Sequence, residues 1–237
     1  MIVQACLNGA RPADYHPAIP LSAEAMARDA AACVQAGAGE LHIHPRDYSG
    51  RESLAAVDAV VARVRTACPG SLIGVSTGAW IENDIERTRS LIGGWTKPDY
   101  ASVNLSEADA PAVMALLRAR GIGIEAGLAS VSDAERFVGL ADREPVLRIL
   151  LEIDEQDRET AVDIAGRIAD ILLRKAVCRP LLLHGRDATT WDLVRLARKK
   201  GWSTRIGLED TSTLPDGTPA RDNSALVEAA REIYRQA

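Results

Sequence analysis

His42 and His44 flank one isoleucine in the run Glu40-Leu-His-Ile-His-Pro-Arg-Asp47, and they are half of the chain's four histidines. In an extended strand, residues i and i+2 project from the same face. Two imidazoles about 6–7 Å apart along one face can close on a single metal ion. The competing reading is a pair of core histidines bonded to backbone carbonyls. A catalytic zinc site takes three protein ligands and keeps a fourth position open. A third donor is therefore expected from elsewhere in the chain.

Other polar residues stand where short apolar runs stop: Asn8-Gly9, Ser76-Thr77-Gly78, Asn104, Glu125, Glu152 to Asp154, His184-Gly185 and Glu209-Asp210. Glu209 is the preferred third metal ligand, and His184 competes with it. His184 fits equally as a substrate contact or as a histidine packed at a strand end. The adjacent acids of Glu209-Asp210 point to opposite faces in a regular pleat, so Asp210 needs a bend after the strand to reach the same site. The alternative is a solvated acidic turn. Arg205 shares the parity of Glu209 and requires a partner if it is buried. Four strand residues span about 13 Å, so a bulge near Gly207 or the length of the side chain must bring Arg205 up to the acids. Ser76-Thr77-Gly78 offers hydroxyls and a backbone N–H to a carboxylate or carbonyl oxygen, or serves as an ordinary strand-to-helix turn.

These residues need a frame that gathers strand ends. Strands are expected at 2–8, 40–45, 72–77, 100–105, 122–127, 147–153, 180–184 and 203–209. Between them the patterns read as helices at 22–37, 53–67, 82–93, 109–120, 131–142, 158–177 and 188–200, with a last one at 222–236. Ser22 and Ser132 are placed to cap helices, and Gly37, Gly121 and Gly201 to end them. Val162, Ile164, Ile168, Ile171 and Leu172 form an apolar helical stripe. Eight βα units in 237 residues imply an α/β fold closed as a single-domain (β/α)8 barrel, a TIM barrel, with an open doubly wound sheet as the rival. In a barrel, strand 8 lies beside strand 1 and one strand from strand 2, which favours Glu209 as the partner of the histidine pair. The irregular segments 9–21 and 210–221 should cover the same mouth.

Composition narrows the partners. Hydrophobic residues make up 47% and aromatics 4%, so Ala, Leu, Val and Ile should build the interior. The net charge is −5 without a basic patch, which argues against nucleic acid. Apolar runs are too short to span a bilayer. The first residues read as a strand, not a leader peptide. Four scattered cysteines without a CxxC fit free thiols of a cytoplasmic protein. Neither GxGxxG nor GxxxxGK[ST] occurs. The last helix, with Trp80, Trp95 and Trp191, supplies apolar surface for barrel packing or for a subunit interface.

Seven segments together carry a resemblance: Ala5-Cys-Leu-Asn-Gly-Ala-Arg11, the proline-containing loop before Ser22, Ala36-Gly-Ala-Gly-Glu-Leu-His-Ile-His-Pro-Arg-Asp47, Val75-Ser-Thr-Gly78, Ala101-Ser-Val-Asn104, Arg205-Ile-Gly-Leu-Glu-Asp210 and Asp222-Asn-Ser-Ala-Leu-Val227. The chain resembles the β-keto acid cleavage enzymes along its whole length. The resemblance implies a zinc-dependent barrel, or one using another divalent metal. Such a barrel converts a β-keto acid plus acetyl-CoA into an acyl-CoA plus acetoacetate, and it is often a homo-oligomer, with a tetramer favoured. It further implies His42, His44 and Glu209 as metal ligands, Asp210 as acid/base with Arg205 as its partner, and Ser76 as a contact to the substrate carboxylate or keto group. Glu125 falls near a family glutamate. Asn8, Thr77, Gly78, Asn104 and Arg11 complete the expected substrate-binding set. Arg11 departs from the acid usual there and would invert the charge preference for the substrate's distal group. Thr211 replaces an asparagine, and shortened loops between strands 4 and 8 bear on the CoA site. An amidohydrolase-type metal hydrolase would want its HxH on strand 1. A non-catalytic small-molecule-binding barrel would need no metal.

Overall fold

A computed structural model describes residues 1–235. Eight parallel strands close into a barrel in sequence order: β1 (Val3–Cys6), β2 (Glu40–Ile43), β3 (Leu72–Ser76), β4 (Tyr100–Asn104), β5 (Gly123–Leu128), β6 (Arg148–Ile153), β7 (Leu181–Gly185) and β8 (Ser203–Ile206). Closure is made by β1 against β8, with Gln4 opposite Arg205. The open-sheet rival is thereby excluded. Eight α-helices among the described residues follow the strands: α1 (Ala23–Gln35), α2 (Val57–Ala67), α3 (Ile85–Gly94), α4 (Ala110–Ala119), α5 (Val131–Gly139), α6 (Arg158–Arg174), α7 (Thr190–Lys200) and α8 (Asn223–Arg235). Residue 236 of the expected last helix lies outside the described residues. Among the described residues no helix is long and apolar enough to cross a membrane.

The helix signals hold with two corrections. Ser22 caps α1 by accepting from the Ala25 N–H, and Gly201 ends α7 in the left-handed region at φ 72°. Ser132 does not cap α5. Ser130 does, in a capping box with Asp133, whose carboxylate receives the Ala129 and Ser130 N–H groups. The stripe on α6 is also shifted. Ala161 and Ala165 are buried with Ile168, Ile171 and Leu172, while Val162 faces out. Small alanines let the helix lie close to the sheet. Trp95 and Trp191 are buried against the barrel, whereas Trp80 is half exposed at the mouth.

The apolar core lies between the helices and the outer face of the sheet, where Val57, Val61, Val64, Leu151 and Val194 are sealed from solvent. The aliphatic interior expected from composition is this layer, and the lumen adds a polar column that composition did not announce. The lumen holds Gln4, Glu40, Tyr100, Glu125, Arg148 and Arg205, all paired across the barrel. Gln4 donates to the Tyr100 hydroxyl (2.8 Å) and to Glu125 (3.1 Å), and Arg148 Nε stands 3.1 Å from the same Glu125 oxygen. Arg148 also contacts Glu40 and lies over the Tyr100 ring. The ring occupies the space that a side chain at Gly74 would fill, a Cβ there falling 2.1 Å from Tyr100 Cε2. A buried charge left without its partner costs about 3–5 kcal/mol, so this column stands only as a set.

β2 and β8 stop earlier than the sequence pattern suggests, and this shapes the site. β2 ends at Ile43, one residue before His44, and β8 ends at Ile206. Residues 207–211 then form a tight turn in which the Asp210 and Thr211 N–H groups both donate to the Gly207 carbonyl. The two long irregular segments meet over the same end, where His16 Nε2 lies 3.0 Å from the Ala220 carbonyl.

Candidate active site

His42 is delivered by β2 itself, and His44 by the first residues beyond it. The backbone of His44 is fixed by Asn8. The His44 N–H donates to Asn8 Oδ1 (3.0 Å), and Asn8 Nδ2 donates to the carbonyls of His44 (2.9 Å) and Pro20 (3.1 Å). The Asn8 amide is fully buried and spent on this scaffold. Glu209 comes from the turn after β8. That turn presses against β1: a Cβ at Gly207 would lie 1.8 Å from the Cys6 carbonyl oxygen, so only glycine fits. Asn223, at the start of α8, accepts the Leu208 N–H (2.6 Å) and donates to the Leu7 carbonyl (2.8 Å), tying the turn to β1. The turn also resolves the awkward spacing of Arg205. It folds Glu209 back over β8 until the carboxylate meets the Arg205 guanidinium.

The three donors converge. His42 Nε2 and His44 Nε2 stand 3.1 Å apart, His44 Nε2 lies 3.7 Å from Glu209 Oε1, and all three donor atoms fall within 4.8 Å of one another. Metal bonds of about 2.0–2.1 Å at tetrahedral angles place donors roughly 3.3–3.4 Å apart, so this set fits a divalent ion. Each residue is buried, and Glu209 Oε2 is sealed in without a hydrogen-bond partner. Such a buried orphan oxygen is what a cation would satisfy.

Electrostatics support the same use. Burial, then the Arg205 charge, pushes the His42 pKa well below its ordinary value and keeps its imidazole neutral, as a ligand must be. Burial works against charge on His44 as well, but Glu209 and Glu52 outweigh it and hold its pKa at about 9. Without a metal ion this ring therefore carries the proton that the ion displaces. Burial would raise the Glu209 carboxyl, yet Arg205 and His44 hold it well below the usual range.

Glu52 escaped sequence reasoning. Its Oε1 contacts His44 Nδ1, and its Oε2 accepts from Trp80 Nε1 at 3.0 Å. A carboxylate so placed fixes the tautomer and orientation of an imidazole that could serve as a metal ligand. Only its position eight residues beyond His44 hinted at this, in a loop closed by the Arg46–Glu52 bridge. Glu52→Gln is expected to weaken binding of a divalent metal by about 10–100-fold, read by chelator competition. An unchanged affinity would remove Glu52 from the site.

Asp210 sits beside the metal cluster with different partners from those expected. Its Oδ1 lies 3.0 Å from His184 Nδ1, and its Oδ2 accepts from the Cys6 thiol at 3.1 Å. Burial and Asp210 push the Cys6 thiol up, so it stays a donor. Arg205 contacts Glu209, and lies 3.9 Å from Glu125, deeper in the lumen. Glu125 thus reaches the site through Arg205. Cys6 carried no signal in the sequence beyond its place at the end of β1.

A cavity of about 320 Å³ opens beside the cluster, lined among others by His44, Trp80, Asn104, Glu152, Asp154 and Arg186. The Ser76 hydroxyl accepts the Gly78 N–H (3.2 Å), and Thr77 Oγ1 donates to the Ser102 carbonyl (2.8 Å). Gly78 leaves room for the Trp80 ring, and Gly127 for Asn104. Arg186 pairs with Glu152 (2.9 Å) and Asp154 (3.3 Å) on the far wall. Arg11 turns its guanidinium to the backbone of Glu209 and Asp210, and Ala10 stands at the cavity in its place.

The chain is 23% identical over 258 aligned residues to the 3-keto-5-aminohexanoate cleavage enzyme of Acetoanaerobium sticklandii, covering all of this chain and 92% of that one. It is 32% identical over 91 residues to the enzyme of the same name from Fusobacterium nucleatum subsp. nucleatum, covering 37% of this chain and 34% of that one. Among solved structures, apo ObcA superposes with a TM-score of 0.75 at 20% identity, covering 91% of this chain. The chain spans only 61% of the ObcA chain's length. The type I 3-dehydroquinate dehydratase of Clostridium difficile superposes with a TM-score of 0.69 at 10% identity, covering 99% of this chain and 91% of that one. These likenesses show the fold. A profile of the family described as beta-keto acid cleavage enzyme matches residues 1–237, and the chain belongs to that family of enzymes.

Proposed function

We propose that the protein is a zinc-dependent acyltransferase that converts a β-keto acid plus acetyl-CoA into an acyl-CoA plus acetoacetate. The observation that carries this reading is the convergence of His42, His44 and Glu209 beside a buried aspartate, in a chain of this family. The bond between C2 and C3 of the keto acid breaks, and its acyl carbon joins the CoA sulfur. The released two-carbon carboxylate unit joins the acetyl group, so atoms balance without oxidant or reductant. ObcA, which shares the fold, has been solved with a C4-CoA adduct and oxalate, and this supports a CoA substrate here.

When bound, the metal supplies Lewis acidity toward the β-keto carbonyl. His42, His44 and Glu209 hold it, and Glu52 keeps the His44 ring in register. Arg205 neutralises Glu209 from below, with Glu125 as its inner counter-charge. Asp210 takes and returns the proton moved during C–C cleavage, positioned by His184 and Cys6. The Ser76 hydroxyl, oriented by the Gly78 N–H that it accepts, meets the substrate's carboxylate or keto oxygen, and Asn104 faces its acyl part. Asn8 and Thr77 act from behind, through the backbones of His44 and Ser102. Burial of His42, His44, Glu209 and Asp210 strengthens each of these charges. A cytoplasmic home is supported by four free cysteines, three of them buried. A homo-oligomer, with a tetramer favoured, completes the reading.

The test is a panel of β-keto acids supplied with acetyl-CoA to zinc-loaded protein, following acetoacetate and the new acyl-CoA together. Equimolar formation of both is expected for at least one acid. Hydrolysis of a keto acid without acyl-CoA would overturn the transferase reading.

A further inference from the structure

Arg11 stands at the mouth of the barrel, next to a site that handles carboxylates, yet its guanidinium is already engaged. Its Nε donates to the Glu209 carbonyl at 3.0 Å, and its Nη2 to the Asp210 carbonyl at 3.3 Å. The same Nη2 pairs with Asp187 Oδ1 at 2.8 Å, and one face of the guanidinium lies 4.3 Å from the centroid of the Tyr15 ring. The Asp210 carbonyl is a junction: it also accepts the Asp187 N–H at 2.8 Å, from a residue held in the left-handed region at φ 48°. Arg46 in turn grips the carbonyls of Gly9 and Arg11. Loops after β1, β2, β7 and β8 are thus joined around the backbone of the two acids.

We propose that Arg11 is a positioning residue that holds the Glu209–Asp210 turn by both of its carbonyls, and that it does not read the charge of the substrate. Asn223 holds the turn at Leu208, and Asp187 and Thr190 reach the Asp210 carbonyl, but the Glu209 carbonyl is held by Arg11. The turn departs from β8 at Ile206, so sheet hydrogen bonds do not reach Glu209 or Asp210. Gly207 closes the turn through its own carbonyl, which accepts the Asp210 and Thr211 N–H groups, and Gly9 supplies the space that Glu209 fills. A Cβ at Gly9 would strike Glu209 Cγ at 2.4 Å. A planar guanidinium with donors in a fixed fork can span two successive carbonyls, and a single ammonium cannot. Arg11 is absent from the 320 Å³ cavity that His44 lines, and stands in an adjoining pocket with Arg186, Asp187 and Glu209, where its Nε and Nη2 turn to the carbonyls of the two acids.

This inference rests on the reading of Glu209 as a metal ligand, and the experiment separates the two. Zinc affinity is measured by chelator competition in wild type, Arg11→Lys and Arg11→Ala, well below each protein's melting temperature. kcat and KM are measured with two β-keto acids, one ending in a carboxylate and one in an uncharged group. Both variants are expected to lose about tenfold or more in zinc affinity, the range seen when an outer support of a ligand is removed. kcat should fall for both acids alike, with KM and the preference between them unchanged, and lysine should not rescue. Unchanged zinc affinity with a shifted preference would make Arg11 a substrate contact and overturn the proposal. A lowered melting temperature with zinc affinity intact would overturn it too, leaving Arg11 a plain structural tie. Wild-type protein that binds no zinc would instead sink the metal reading itself.

Discussion

His44→Ala should strip the protein of stoichiometric zinc and lower turnover by about 10²–10³-fold or more, the scale of losing a principal electrostatic stabiliser. The substitution removes Nε2, one of two nitrogens 3.1 Å apart, and leaves a histidine–glutamate pair too few for a tetrahedral site. It also strands Glu52, whose Oε1 loses the imidazole. The barrel should survive, because Asn8 holds residue 44 through backbone atoms that alanine keeps. Metal analysis of purified protein and a turnover assay decide the matter together. Full zinc with near-normal turnover would place the chemistry elsewhere.

The second large effect is expected from Asp210→Asn. General acid–base catalysis contributes typically about 10²–10⁴-fold, and the amide cannot take a proton at neutral pH. Asparagine matches aspartate in shape, so its oxygen can still face His184 while its NH₂ replaces the acceptor of the Cys6 thiol. Glu209 is untouched, and zinc content should stay at the wild-type level. The two substitutions thus part company: one loses metal and rate, the other loses rate alone. A kcat within a few-fold of wild type would assign the proton transfer to another group, with His184 the first to examine.

Most of the frame was legible from the chain because its signals are local. Strand and helix alternate with the right lengths, serine and glycine punctuate the helices, and the histidine pair declares itself by spacing. Errors arose where three-dimensional context overrides local pattern. Ser130 and Ser132 both precede an acidic residue, and only the box with Asp133 selects the first. The apolar count hid a polar lumen, because Glu125 and Arg148 are charged in sequence and satisfied only across the barrel. Glu52 and Cys6 gain their roles from loops and strands that meet in space, which no spacing rule reports. Arg205 was rightly linked to the acids, but the short β8 gives it Glu209, not Asp210.

The buried ladder from Glu40 through Arg148, Glu125 and Arg205 has a consequence for how such a protein diversifies. The potential felt at the cluster is set from beneath, by strand residues of which Glu125 and Arg205 are sealed from solvent and Arg148 and Glu40 nearly so. The acyl cavity is shaped from above, by Trp80, Asp154 and Arg186 on the connecting segments. Rewriting the segment at Trp80 changes which molecule enters and leaves the ladder beneath as it was, whereas Arg186 also carries charge felt by Glu209 and Asp210. New specificities are therefore reachable by a few rim substitutions, each tolerated because the foundation does not shift.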